Sequence, residues 1–143
     1  MTKRSQKGQT LVEAVVVVGV VVLLVTGLIA GTTASLRSAQ SGRTRTQAVS
    51  YAQEGIEIVR GIRDQSWDTF QGYGGSYCLD SAHALTPNSG TCSVNITTPE
   101  GSFTRSVSFD WQSPKMVVTT TVSYTEGEGE KDVTLVTYFT QWR

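Results

Sequence analysis

One acidic side chain stands at the edge of a long apolar stretch. Glu13 is followed by Ala14 to Leu36 without a charged residue. A carboxylate held deep in lipid is unfavourable by on the order of a few kcal/mol, so Glu13 calls for a cationic partner. Lys3, Arg4 and Lys7 lie just before it, followed by Gly8 and Gln9. Basic residues ahead of an apolar span place the amino end on the cytoplasmic side. Gly8 marks a flexible joint between this basic leader and the apolar run. The chemistry on offer here is an ion pair in an apolar setting.

Other residue types offer less. Cys78 and Cys92 form an even pair, which in an exported segment reads as a disulfide. No His or Cys stands near enough in sequence to complete a zinc set. A bond between them closes a short loop, worth roughly 3 kcal/mol by the chain-entropy argument. His83 is the sole histidine and sits among small residues, with nothing beside it that makes a nucleophile and an orienting carboxylate. No catalytic residue and no cofactor is expected. Arg43, Arg45, Arg60 and Arg63 are basic enough to meet phosphate, but read as helix charges facing solvent or a neighbouring subunit; nucleic acid is not the expected partner.

The element that must position Glu13 is a helix. The run after it is rich in valine: Val15 to Val18, Val20 to Val22, and Val25. β-branched residues favour strands in water. A lone strand in lipid leaves its backbone groups unpaired, so lipid dictates helix. Residues 9–36 are long enough to cross a bilayer, which takes roughly 20 apolar residues. From Ser35 to Asp64 the pattern turns amphipathic. Val49, Ala52, Ile56 and Val59 recur at spacings of three and four, with Tyr51, Gly55, Ile58 and Ile62 beside them. That makes an apolar face suited to a sheet, with Arg37, Arg43, Arg45, Glu57, Arg60 and Arg63 mostly solvated. Gln9 to Asp64 thus reads as one helix, roughly 80 Å long at 1.5 Å per residue. Gly19, Gly27, Gly31 and Gly42 interrupt it and suit close helix packing.

A short basic leader, Gly8, and then Gln9-Thr10-Leu11-Val12-Glu13 at the head of an apolar helix resembles the precursors of type IV pilins and pseudopilins. In that family a glutamate stands fifth after the glycine, as Glu13 does here. The resemblance implies a membrane-embedded prepilin peptidase that cuts between Gly8 and Gln9 and methylates the new Gln9 amine. The family more often has Phe or Met at the position of Gln9. It also implies filament assembly, with Glu13 of an incoming subunit facing the Gln9 amine of its neighbour. The partners implied are the peptidase, the inner membrane and other pilin subunits. The rival reading is a secretory signal cut after Thr32-Thr33-Ala34. Glu13 interrupts the start of its apolar region, which also exceeds the usual length of about 7–15 residues. The two readings differ in the mature amino end, Gln9 or Ser35.

The remainder, residues 65–143, should form the head. Gln65 to Ser93 reads as loop, rich in Gly72, Gly74, Gly75, Pro87, Asn88 and Gly90, with Trp67, Phe70, Tyr73 and Tyr77 pinning it down. Val94 to Thr98 reads as a short first strand. Phe103 to Trp111 alternates, with Phe103, Val107, Phe109 and Trp111 on one face. A turn at 112–115 leads to Met116 to Tyr124, rich in β-branched residues. A second turn, Glu126 to Lys131, leads to the last strand, Val133 to Trp142. The fold class is α+β: one long amino-terminal helix packed on a small antiparallel meander of three main strands. Ala52-Gln53-Glu54-Gly55-Ile56-Glu57 and Thr137-Tyr138-Phe139-Thr140-Gln141-Trp142-Arg143 also look like segments of minor pilins. Glu126, Glu128, Glu130 and Asp132 cluster at one turn in a way some pseudopilin heads use for calcium. Without EF-hand spacing they read as a solvated hairpin tip, and no metal ligand is assigned.

Length and charge fit this organisation. The 143 residues suit one small domain, with twelve basic and twelve acidic side chains. Loss of residues 1–8 takes Lys3, Arg4 and Lys7 and leaves nine basic against twelve acidic, a net charge of −3. No global basic character points to nucleic acid. The head alone builds only a modest core. The expectation is a structural subunit of a pilus or secretion filament rather than an enzyme, or else a single-pass anchored binding module that does not polymerise.

Overall fold

The computed structural model describes residues 7–88, 90–93, 96–99, 101–127 and 129–141, with 7–10 as backbone only. The fold is α+β. Among the described residues a long amino-terminal helix, α1 (Lys7–Gln65), is followed by a short helix α2 (Trp67–Gln71) and six strands: β1 (Gly75–Leu79), β2 (Leu85–Pro87), β3 (Ile96–Thr98), β4 (Gly101–Gln112), β5 (Lys115–Glu126) and β6 (Gly129–Thr140). Contacts divide the chain at residue 40 into two units, 1–40 and 41–143.

In the first unit α1 is helical from Lys7 onward, so Gly8 lies within the helix rather than at a break before it. Glycine's penalty in a helix is backbone entropy, and it weighs most in the interior rather than in the first turn. Every side chain from Leu11 to Gln40 is exposed. Thr26 Oγ1 donates to the Val22 carbonyl at 2.8 Å, and Thr32 and Thr33 Oγ1 each donate to the Ile29 carbonyl at 3.0 Å. These hydroxyls are satisfied inside the helix, as an apolar environment requires. This helix is long and apolar enough to cross a membrane. It continues unbroken through Gly19, Gly27 and Gly31, and nothing lies within 4 Å of a Cβ added at any of them.

In the second unit the rest of α1 packs on an antiparallel sheet of order β2-β1-β4-β5-β6, with β3 also paired to β4. Ala48, Ala52, Gly55 and Val59 form its buried stripe, at spacings of four, three and four. Arg63, read from the sequence as mostly solvated, has a side chain only 11% exposed and lies over the Phe139 ring at 5.1 Å. Two core clusters result. One joins Ala48 and Ala52 to Ile96, Phe103, Val122 and Tyr124. The other joins Val59 and Phe70 to Leu79, Val107, Phe109, Met116, Val118 and Phe139. Gly55 makes the close approach: a Cβ there would stand 2.8 Å from Thr120 Cγ2.

The meander β4-β5-β6 matches the sequence expectation, but the head holds more than three strands. The stretch read as loop, 65–93, contains α2, β1 and β2. Ser66 caps α2 by accepting the Thr69 N–H at 3.2 Å. Phe70 is buried, and Trp67, Tyr73 and Tyr77 pack against the same cluster, so the aromatics do pin this region. β1 gains its order from pairing with β4, Tyr77 opposite Val107, rather than from local propensity. The strand expected from Val94 is β3, starting at Ile96; Val94 and Asn95 lie outside the described residues. The turn expected over Glu126 to Lys131 is tighter. Glu126 already pairs with Gly129, and Gly127 takes the left-handed conformation (φ 62°) that the reversal needs. Glu130, Lys131 and Asp132 therefore belong to β6, which ends at Thr140; Trp142 is outside the described residues. Trp111 shares the parity of the buried face but is 42% exposed, at the end of β4.

Candidate functional site

The amino-terminal segment brings Gly8, Gln9 and Glu13 onto one helix. Gly8 and Gln9 have helical backbone in the first turn of α1. Glu13 follows just over one turn after Gln9. Its side chain is exposed, and no ion pair to it occurs among the described residues. Beyond it, Val15, Val16, Leu23, Leu24 and Leu28 are each exposed by more than half. A surface this apolar and this long requires lipid or another protein to cover it.

The head holds a polar cluster that the sequence reading did not identify. Arg105, in β4, is completely buried. It donates from Nη1 to Glu54 Oε2 at 2.9 Å and to the Tyr51 carbonyl at 3.1 Å, both on α1. Nε and Nη2 donate to the carbonyls of Leu79 and Asp80, at 3.4 and 3.0 Å, at the end of β1. One guanidinium thus ties together the helix, the central strand and the loop after β1. His83, to which the sequence assigns no catalytic role, joins the cluster: its Nε2 lies 3.0 Å from Glu54 Oε1. The Asp80 carboxylate accepts the N–H groups of Ala82 and Ala84, shaping a tight loop in which His83 takes a positive φ of 65°.

Partial burial disfavours the charge on Glu54, but the hydrogen bond and charge of Arg105, with a smaller contribution from His83, outweigh it and hold the carboxyl below the usual carboxylate range. A buried guanidinium hydrogen-bonded to helix, strand and loop, with a part-hydrated counter-ion, fixes the geometry of the elements around it. A signal for it was present. Arg105 has the same strand parity as Phe103, Val107 and Phe109, so alternation alone turns it inward.

Cys78 and Cys92 are disulfide-bonded, with Cα atoms 5.5 Å apart. The bond fastens the segment before β3 to β1. Of the arginines weighed for phosphate contact, Arg60 pairs with Glu57 at 2.5 Å and Arg63 with Asp64 at 2.6 Å. Glu126, Glu130 and Asp132 do not converge, and Glu128 lies outside the described residues; among those described, no group of three potential ligands is placed to hold a metal ion. Compared with protein-family models, curated proteins and solved structures, the chain matches none.

Proposed function

We propose that this chain is a structural subunit of a type IV pilus or related filament, of the minor pilin or pseudopilin kind, made as a membrane-anchored precursor. The observation that carries the reading is an apolar helical span, exposed from Leu11 to Gln40, whose one carboxylate, Glu13, stands five residues beyond Gly8, on a chain that continues into a sheet head. The precursor lies across the inner membrane with Lys3, Arg4 and Lys7 on the cytoplasmic side and the disulfide-bonded head outside, where an oxidising compartment preserves that bond. A prepilin peptidase hydrolyses the Gly8–Gln9 bond. The first turn of a helix frays easily, and Gly8 weakens it further, by at most about 1 kcal/mol relative to Ala, so the scissile bond can become extended.

Cleavage frees the Gln9 amine, which the same enzyme methylates. During assembly that cation faces Glu13 of the incoming subunit. Each charge alone is unfavourable in an apolar rod; together they neutralise one another. The valine-rich surface exchanges lipid for neighbouring helices. The role is structural rather than catalytic.

The test is Glu13→Val in a strain producing the filament. Insertion and cleavage should persist while the sheared filament fraction loses the subunit. Normal incorporation of the variant would overturn the ion-pair account. A wild-type chain that never enters sheared filaments would favour a single-pass anchored binding module instead.

A further inference from the structure

The far end of the head from Ala48 carries an open cleft of about 320 Å³ between α2, the β4–β5 turn and the end of β6. Its walls are two tryptophans, Trp67 and Trp111, with Gln71, Gln141, Thr140 and Ser113 around them. We propose that this cleft binds a neutral carbohydrate, one or two hexopyranose rings, independently of whether the chain polymerises.

The lining chemistry selects that ligand. The indoles touch edge to face, 6.1 Å apart between centroids at 64°, and form an apolar corner against which one ring face can stack. A pyranose ring has an apolar C–H face that stacks on such a wall and a rim of hydroxyls. Side-chain amides each carry both donor and acceptor, as paired hydroxyls require, and Gln71 and Gln141 are both exposed and available. About 320 Å³ is at the small end of the range for ligand sites.

Trp111 has the parity of the core yet stays 42% exposed. The exposed part of this indole, with polar groups around it, is open to an amphipathic ligand. Trp67 adds an unmet need: its Nε1–H is buried and finds no hydrogen-bond partner among the described residues. A small rotation of the ring on binding would give it a sugar hydroxyl.

The described lining lacks the charge that the nearest competitor needs. A nucleotide also stacks on indole and pairs with amides, but its phosphate needs a cation. None of the described lining residues is charged. Lys115, next to the turn in sequence, has its ammonium 4.3 Å from the centroid of the Tyr138 ring.

The experiment uses the full chain in micelles of a detergent without a sugar headgroup. Maltotriose, cellotriose and chitotriose are titrated separately, with AMP as the contrast, while the indole N–H signals are followed by NMR. At least one trisaccharide should shift the Trp67 and Trp111 signals saturably and insensitively to salt. Trp111→Ala and Gln71→Ala should each weaken that binding by about tenfold or more. Gln71 is exposed and its substitution leaves the core intact, so a loss there is read free of folding defects. If no trisaccharide moves these signals, or AMP alone does, or Gln71→Ala and Trp111→Ala both bind as the parent does, the proposal is overturned.

Discussion

Arg105 Nη1 stands 2.9 Å from Glu54 Oε2, the guanidinium wholly buried and the carboxylate side chain 41% exposed. The pair therefore spans the boundary between core and solvent. The cation loses its water and recovers it as hydrogen bonds to Tyr51, Leu79 and Asp80 carbonyls. The acid keeps part of its hydration. This asymmetry avoids much of the desolvation penalty that makes fully buried pairs unrewarding.

Arg105→Ala is expected to lower the unfolding free energy of the head by about 3–5 kcal/mol, because it strands three backbone carbonyls and a partly buried acid. Arg105→Lys should recover little of this, since one ammonium cannot reach all the acceptors that the planar fork does. Denaturant unfolding followed by near-ultraviolet circular dichroism checks both. A loss below about 1 kcal/mol for Arg105→Ala would show that the cluster is ornamental.

The lowered carboxyl of Glu54 predicts a pH dependence with a definite sign. A folded-state pKa below the unfolded value contributes stability that is complete above the ordinary value of 4.5 and is lost as pH falls through the folded one. The groups facing Glu54 are Arg105 from β4 and His83 from the loop after β1. Stability measured from pH 6 downward should fall less steeply in Glu54→Gln than in the parent, the two curves converging at the acid end. Parallel curves would contradict the assignment.

Gly55→Ala should destabilise the head by about 1–3 kcal/mol, as overpacking does. The added methyl meets Thr120 Cγ2 at 2.8 Å. Adding Thr120→Ser removes that carbon, so the double variant should recover most of the loss. Additive effects in the double-mutant cycle would mean that the contact does not limit the helix–sheet approach.

The parts of the fold read correctly from the sequence are those with long, strong periodicity. Ala14 to Leu36 admits only a helix in lipid, and Phe103 to Trp111 alternates for a full strand. The misread parts are short and owe their form to distant partners. β1 is five residues that begin with a glycine, and pairing with β4 holds it. α2 is five residues, fixed by Ser66 and by the burial of Phe70. The acidic residues after Gly129 looked like a turn, yet an exposed edge strand accepts them without strain. Arg105 breaks the apolar pattern of the inward positions of β4, and that break marks it. His83 met Glu54 from twenty-nine positions away, which no local reading could supply.

The central claim rests on where the mature chain begins. Intact mass and amino-terminal sequencing of the protein recovered from its native membrane answer this directly. The account predicts a chain starting at Gln9, with one added methyl on its amine. A mature form that keeps Met1 to Gly8, or one that starts at Ser35, would contradict it.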